Sequence, residues 1–137
     1  MAKKDKKSNP GQVIIPTNHP NPPEAHEIDA AYILARHYQC EVKFLIPIND
    51  FKRKTADIVM LGVEWEIKSP IGKSKYTIKD QFQRASKQAK NIILDARRTK
   101  LKDDLIEKYI LAALMKRPSI KKVILINKLQ KVIEISI

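Results

Sequence analysis

A chain of 137 residues, 43% of them apolar, is long enough to bury the core of one domain, and its single cysteine excludes an internal disulfide. Lys and Arg number 27 against 15 Asp and Glu, so the net charge of +12 favours a polyanionic partner such as nucleic acid. No apolar run approaches the roughly 18 residues that cross a membrane, and no hydrophobic signal segment follows the basic N-terminus. We therefore expect a cytoplasmic site of action and no membrane partner.

Residues 1–23 are expected to form a leader or linker, and residues 24–137 to form the domain. The leader begins with the cationic stretch MAKKDKKSNPGQ and continues into IIPTNHPNPPE, which contains four prolines. Because proline fixes φ and lacks an N–H donor, this segment cannot form a regular helix.

The domain is predicted to be mixed α/β, with elements in the order α-β-β-β-α-β-α-β-β and helices flanking one sheet. A first amphipathic helix begins near Glu24, and the strand EVKFLIPI follows it. The next stretch, ADIVMLGVEWEIKS, divides at Gly62 into two strands, 57–61 and 63–68.

The second half of the domain alternates helices with short apolar runs. A helix capped by Thr77 is predicted over TIKDQFQRASKQAKN, and the buried strand NIILDA follows it. A third helix ends at Pro118, after which KKVILIN and KVIEISI are predicted to form a hairpin.

Charged residues alternate with apolar ones in the strand 63–68. Strand geometry puts two sets of three side chains on opposite faces: Val63, Trp65 and Ile67 on one, and Glu64, Glu66 and Lys68 on the other. The charged face is either solvated and without function or the floor of an active site, and the spacing alone leaves both interpretations open.

The register of the hairpin decides where Asp57 lies. If residues 61 and 62 form the turn, Asp57 lies opposite Glu66, with the Cβ atoms about 5 Å apart. Two carboxylates at that distance repel each other unless a cation lies between them, and oxygen ligands suit Mg²⁺ or Mn²⁺. Lys68 would then bring an ammonium to the same face. A slip of one residue would move Asp57 to the other face.

Asp57 followed by Glu66-Ile67-Lys68 resembles the D…(D/E)-x-K signature of the PD-(D/E)XK, or restriction-endonuclease-like, nuclease superfamily. The order of elements around the motif is also similar to the core of that superfamily. Ser69-Pro70 with a basic loop, and the helix that carries Gln81 and Ala85 to Ala89, are similar to the C-terminal tRNA-nuclease toxin domains of contact-dependent growth inhibition proteins.

The resemblance implies roles for individual residues. Asp57 and Glu66 would be metal ligands, and Lys68 would be the catalytic lysine. Glu27 would be an additional catalytic acid from the first helix, with Glu24 as the fallback. The cofactor would be a divalent metal, Mg²⁺ in the first place and Mn²⁺ or Zn²⁺ as alternatives.

Basic and amide side chains are predicted to bind the nucleic-acid backbone or bases. They follow the lysine motif, lie on the second helix or follow the short strand: Lys73, Lys75, Gln81, Lys87, Gln88, Arg97 and Arg98. Surface side chains of these types are also often merely solvated.

The resemblance implies an antibacterial toxin that hydrolyses phosphodiester bonds in RNA, with tRNA favoured. Delivery as part of a larger secreted protein and an acidic immunity protein as partner are expected with it. The alternatives are a DNA endonuclease of the same fold, of the repair or resolvase kind, and a non-catalytic basic module that binds nucleic acid.

Overall fold

The computed structural model describes residues 11–47, 55–87 and 89–136, and the chain divides into two compact units, Met1–Trp65 and Glu66–Ile137. The elements of the first unit, in chain order, are β1 (Val13–Ile14), α1 (Ala25–Tyr38), β2 (Val42–Phe44), β3 (Ile58–Met60) and the start of β4 (Val63–Lys68). The second unit contains the end of β4 and then α2 (Tyr76–Ala85), β5 (Asn91–Asp95), α3 (Asp103–Lys116), β6 (Lys122–Ile126) and β7 (Val132–Ile135).

The first unit contains helix α1 and a set of short strands. β1 pairs parallel with β2, β2 pairs antiparallel with β3, and β3 pairs antiparallel with the beginning of β4. The helix buries a stripe of small and branched side chains: Ala30, Ala31, Ile33, Leu34 and Ala35. Both ends of β2 are buried as well, at Val42 and Phe44.

In the second unit, the end of β4 pairs parallel with β5, β5 pairs parallel with β6, and β6 pairs antiparallel with β7. The two helices α2 and α3 pack on alternate residues of these strands. Their common core includes Phe82 from α2, Ile110 from α3 and Leu94 from β5. Parallel strands covered in this way are rich in branched apolar residues, as NIILD and KVILI are.

Because β4 pairs with β3 at its start and with β5 at its end, the strands follow one another in a seven-stranded mixed sheet in the order β1 to β7. The predicted fold class and the order from α1 to β7 are confirmed. β1 is an addition that was not predicted, and it lies within the segment interpreted as a leader. Within the part of the chain described, no helix is long and apolar enough to cross a membrane.

The β3–β4 hairpin has the predicted register. Ile58 pairs with Trp65 and Met60 pairs with Val63, so paired residue numbers sum to 123. Leu61 and Gly62 form the turn, with φ of 51° and 77°. Positive φ at both central residues is the requirement of a type I′ turn, whose twist matches that of the flanking strands.

Helix α2 is shorter than predicted. It begins at Tyr76, one residue before Thr77, and ends at Ala85 rather than Asn91. The Ser86 hydroxyl donates to the carbonyl of Gln83 at 3.0 Å. The backbone that follows forms a hydrogen-bonded turn instead of continuing the helix. Serine side chains that bond to nearby backbone compete with helix continuation, which explains the early end.

Candidate active site at the end of strand β4

Glu66 and Lys68 form an ion pair near the C-terminal end of β4. The Lys68 Nζ atom lies 3.3 Å from Glu66 Oε2, and the two side chains are 18% and 9% exposed. Charged residues are rarely buried to this extent unless they are paired, because removing a charge from water is costly. The end of β4 therefore holds two charged side chains where apolar residues would be expected if the role of these positions were only structural.

The charged face of β4 at Glu66 is not a solvated surface. In the parallel register Glu66 lies beside Ile92 and Lys68 beside Leu94, so they share the sheet face whose apolar residues pack with α2 and α3. On the opposite face Trp65 and Ile67 are buried, as predicted. The interpretation of the whole charged face as exposed is wrong at Glu66, because α2 and α3 cover the sheet there. The interpretation of the charged face as solvated is correct at Glu64, which is exposed.

Asp57 and Glu27, which lie far apart in sequence, line one cavity in the first unit. Its volume is about 290 Å³, and Phe44 and Ala56 contribute to its wall. The Asp57 backbone N–H donates to the Trp65 carbonyl at 3.0 Å, one residue out of the register in which Ile58 pairs with Trp65, so the regular ladder ends at Ile58 and does not include the expected Asp57–Glu66 pair. The structure thus brings together two of the predicted catalytic acids.

Glu27 also has a structural role at the start of α1. Its Oε1 accepts from the Glu24 N–H at 2.8 Å, and the Glu24 side chain accepts from the N–H of Glu27. This reciprocal arrangement is a capping box, which satisfies two N–H groups that the first turn leaves without helical partners. Glu24, the fallback acid, is therefore the residue that caps the helix, and a charge at Glu27 is compatible with both capping and chemistry.

His19, which no sequence motif indicates, lines the same cavity. Its Nδ1 accepts from the Asn21 N–H at 3.1 Å, so Nε2 carries the hydrogen and donates to the Leu45 carbonyl at 3.0 Å. Both ring nitrogens are engaged in holding the proline-rich segment. No local sequence signal distinguishes this histidine, since its partner lies 26 residues away.

The residues available to a metal ion are few. Within residues 11–47, 55–87 and 89–136, no three His, Cys, Asp or Glu side chains lie close enough together to enclose a metal. Any site in this part of the chain would therefore rely on one or two carboxylates with water as the remaining ligands, which is the usual pattern for Mg²⁺.

Arg97, predicted to bind nucleic acid, is held by a buried carboxylate. Its Nε and Nη2 each donate to Asp95 at 2.8 Å, and its backbone N–H donates to Asp95 Oδ1 at 3.2 Å. Asp95 is fully buried at the end of β5, and the Arg97 side chain is 17% exposed. The pair fixes the start of the basic loop that follows β5.

Arg98 ties this basic loop to the segment that follows Lys68. Its Nη2 donates to the Ser69 carbonyl at 3.0 Å, and its Nε donates to Ser69 Oγ at 3.2 Å. The Thr99 hydroxyl donates to the Gly72 carbonyl at 2.5 Å, and Lys128 Nζ donates to the Thr99 carbonyl. These bonds order the loop between β4 and α2.

The other predicted nucleic-acid residues differ in exposure. Lys73, Lys75 and Lys87 are exposed, whereas Gln81 is half-buried on α2. Gln88 lies outside the described residues.

The sequence profile of the family described as the contact-dependent growth inhibition CdiA C-terminal domain matches residues 54–132, more than half of the chain. No curated protein matches. Among solved structures, a chain of the CdiA-CT/CdiI toxin and immunity complex from Burkholderia pseudomallei has a similar fold, with a TM-score of 0.57 and 17% identity. The similarity covers 92% of this chain and 99% of that one.

The mixed sheet with a buried charged pair on β4 is consistent with an α/β domain of nuclease-like type. The chain belongs to the CdiA C-terminal domain family, and it is therefore a toxin domain of contact-dependent growth inhibition. The matched segment includes Asp57, Glu66 and Lys68, but it begins after Glu27.

Proposed function

We propose that the domain is a metal-dependent nuclease that hydrolyses phosphodiester bonds in RNA, with tRNA as the favoured substrate. The ion pair between buried Glu66 and half-buried Lys68 is the observation that carries the proposal. A carboxylate and an ammonium kept together in an apolar environment cost stability, which is expected where chemistry requires them. The net charge of +12 suits a polyanionic substrate.

We propose Asp57 and Glu66 as the metal ligands. The ladder ends with the pair Ile58–Trp65, and Asp57 is bonded at this end through its N–H to the carbonyl of Trp65, the residue that precedes Glu66. This donor set contains only oxygen, so it fits Mg²⁺ or Mn²⁺ better than Zn²⁺, which usually takes nitrogen or sulfur ligands. A divalent ion bound there would supply polarisation of a phosphate oxygen and acidification of a water ligand.

The chain's own residues would carry the remaining steps. Lys68, held by Glu66, would place positive charge beside the phosphate and stabilise the charge that develops as water attacks phosphorus. The attacking water would lose a proton to solvent as the new P–O bond forms, the P–O bond to the leaving oxygen would break, and that oxygen would take a proton from solvent. Glu27 would orient the attacking water from the wall of the cavity it shares with Asp57. In RNA, the neighbouring 2′-hydroxyl is the alternative nucleophile.

The test is incubation of the domain with total tRNA and with plasmid DNA, each with Mg²⁺ or with EDTA. We expect tRNA to be cleaved in Mg²⁺ only, and Glu66→Gln or Lys68→Ala to lower the rate by about 100-fold or more. The matched control is Glu64→Gln, two residues away on the same strand but exposed, which should cleave at the wild-type rate.

The other outcomes separate the alternatives. Cleavage of plasmid DNA alone would indicate the DNA endonuclease, and cleavage of neither with retained binding would indicate the non-catalytic module. Equal rates for Glu66→Gln and wild type would contradict the proposed site. Product ends identify the nucleophile, since attack by the 2′-hydroxyl leaves a 2′,3′-cyclic phosphate whereas hydrolysis by water does not.

An acidic immunity protein is the proposed partner, and delivery into a target cell as part of a larger protein is proposed with it. The solved structure with a similar fold is described as a toxin and immunity complex. A chain of net charge +12 would be complemented by an acidic surface, which would accelerate association.

A further inference from the structure

A small cavity lies between helices α2 and α3 of the second unit, away from the residues assigned to chemistry. Its volume is about 220 Å³, and seven residues line it: Lys75, Tyr76, Lys79, Tyr109, Ala112, Ala113 and Lys116. The lining combines two aromatic rings and two alanines with three lysines, and it contains no carboxylate. Only Lys75 of this set was predicted to bind nucleic acid.

Tyr76 is the exposed aromatic residue of this cavity. It is the first residue of helix α2 and is 55% exposed. The ammonium groups of Lys75 and Lys79 lie 5.3 and 6.0 Å from the centre of its ring. Exposed aromatic rings on which bases stack, beside basic side chains that contact the backbone, are one means by which proteins bind single-stranded nucleic acid.

From this geometry we infer that the Tyr76 cavity binds one unpaired base of a nucleic-acid strand, with Lys75, Lys79 and Lys116 neutralising the flanking phosphates. The inference rests on the proposed function and adds a substrate-binding site to it. The cavity is smaller than the roughly 300–1,000 Å³ typical of sites for drug-sized ligands, so it suits a single flat ring. A protein partner would need about 800 Å² of surface, far more than this cavity supplies.

The loop that carries Lys75 begins immediately after the catalytic lysine motif. Ser69 and Gly72 of this loop are held by Arg98 and Thr99, so the loop is ordered from the end of β4 to the start of α2. The segment that leads from Lys68 to Lys75 and Tyr76 is therefore fixed at two points, Ser69 and Gly72.

The test compares two fluorescent probes of about eight nucleotides in EDTA with the full chain. One is oligoadenylate, and the other has the same phosphates but abasic spacers in place of the bases. We expect the wild type to bind oligoadenylate about tenfold more tightly than the abasic strand. Tyr76→Ala should remove that preference, whereas Tyr76→Phe should keep it.

Two further variants exclude trivial explanations. Ala112→Met fills the cavity from an exposed position of α3 and should also abolish the base preference while every lysine remains. Tyr32→Ala removes an exposed tyrosine, 41% accessible, from α1 and should leave both affinities unchanged. Circular dichroism of each variant verifies that it is folded.

Three results would overturn the inference: a wild type without base preference, a Tyr76→Ala protein that keeps it, or equal loss of affinity for both probes. Loss of polyglutamate binding by Tyr76→Ala with unchanged oligoadenylate binding would instead assign the cavity to an acidic protein. Because binding is measured in EDTA, which prevents the proposed metal-dependent cleavage, the outcome is separate from that of the nuclease proposal. A domain that cleaves nothing could still show Tyr76-dependent base preference. Conversely, a domain that cleaves RNA could lack that preference, and the same measurement would show it.

Discussion

Arg97 and Arg98 are adjacent in sequence, but their guanidinium groups have partners of very different burial. Arg97 binds the fully buried carboxylate of Asp95, whereas the bonds of Arg98 to Ser69 are exposed. Removing one partner of a buried pair leaves an uncompensated charge in the interior, which costs far more than losing a solvated hydrogen bond.

We expect Arg97→Ala to lower the free energy of unfolding by about 3 kcal/mol. Arg98→Ala should lower it by about 1 kcal/mol, the usual net value of exposed hydrogen bonds. Urea unfolding of the two variants beside wild type measures both quantities. Equal effects would show that the Asp95–Arg97 pair is no more important to the fold than a surface contact.

Glu27 is both a helix-capping residue and a proposed catalytic acid, and a single substitution can separate these roles. Glutamine keeps a carbonyl oxygen that accepts from the Glu24 N–H, so Glu27→Gln should preserve the capping box and change the free energy of unfolding by less than about 0.5 kcal/mol. Because the negative charge is lost, the rate of RNA cleavage should fall by about tenfold or more.

Glu27→Ala provides the comparison, because it removes both the cap and the charge and should cost about 1 kcal/mol as well as activity. Glu24→Gln is the matched control within the same capping box and should cleave at the wild-type rate. If Glu27→Gln also cleaves as wild type does, Glu27 acts only at the start of α1.

Among the elements, the β3–β4 hairpin was the most predictable part of the fold. Alternation of apolar and charged residues in 63–68 and the position of Gly62 predicted the two strands, and the register followed only on the assumption that residues 61 and 62 form the turn, which the structure shows to be so. Register follows from such local features because a slip of one residue would exchange the two faces of the strand.

The features that sequence did not reveal depend on contacts that are distant along the chain. β1 has two residues and exists because Val13 and Ile14 pair with β2, 29 positions later. Burial of Glu66 depends on the packing of α2 and α3 over the sheet, and the His19 bonds depend on the chain returning to Leu45. Periodicity reports which residues share a face, but not what covers that face.

The Leu61–Gly62 turn contains a strain that can be removed. Leu61 has a φ of 51°, and left-handed backbone costs a residue with a Cβ about 1 kcal/mol, while asparagine adopts it more readily. Since Leu61 is 46% exposed, little apolar burial is lost on replacement. We expect Leu61→Asn, which creates the favoured Asn-Gly pair, to raise the free energy of unfolding by about 0.5–1 kcal/mol in urea.

Gly62→Ala is the opposing control for this turn. No atom lies within 4 Å of the added Cβ, so any loss of stability arises from the backbone, whose φ is 77°. The expected loss is about 1 kcal/mol. A destabilised Leu61→Asn together with a neutral Gly62→Ala would contradict the strained type I′ geometry.

At the scale of the whole molecule, the net charge of +12 predicts binding that weakens steeply with salt. Each phosphate neutralised contributes about 0.7 to the slope of log K against log salt for single strands and about 0.9 for duplexes. Lys73→Ala should lower the slope for tRNA binding by about one such contribution, because Lys73 is exposed in the loop after Lys68.

The measurement is a titration of fluorescent tRNA in EDTA at several salt concentrations. Lys131→Ala serves as the control, since Lys131 is also exposed but lies at the β6–β7 turn. An equal change of slope for the two variants would mean that binding uses the charge of the whole surface rather than the loop after β4.

The buried pair on β4 has an evolutionary consequence. Replacing a buried ion pair by apolar residues of similar volume often stabilises a protein by about 1–4 kcal/mol. Glu66→Leu combined with Lys68→Met is therefore expected to raise the free energy of unfolding, because the face is already lined by Ile92 and Leu94, and under the proposed mechanism it would abolish RNA cleavage. In lineages that are no longer selected for toxicity, we would expect such substitutions to accumulate, because they remove activity and stabilise the fold. Conservation of both charged residues in a lineage would be evidence that the toxin is still active there.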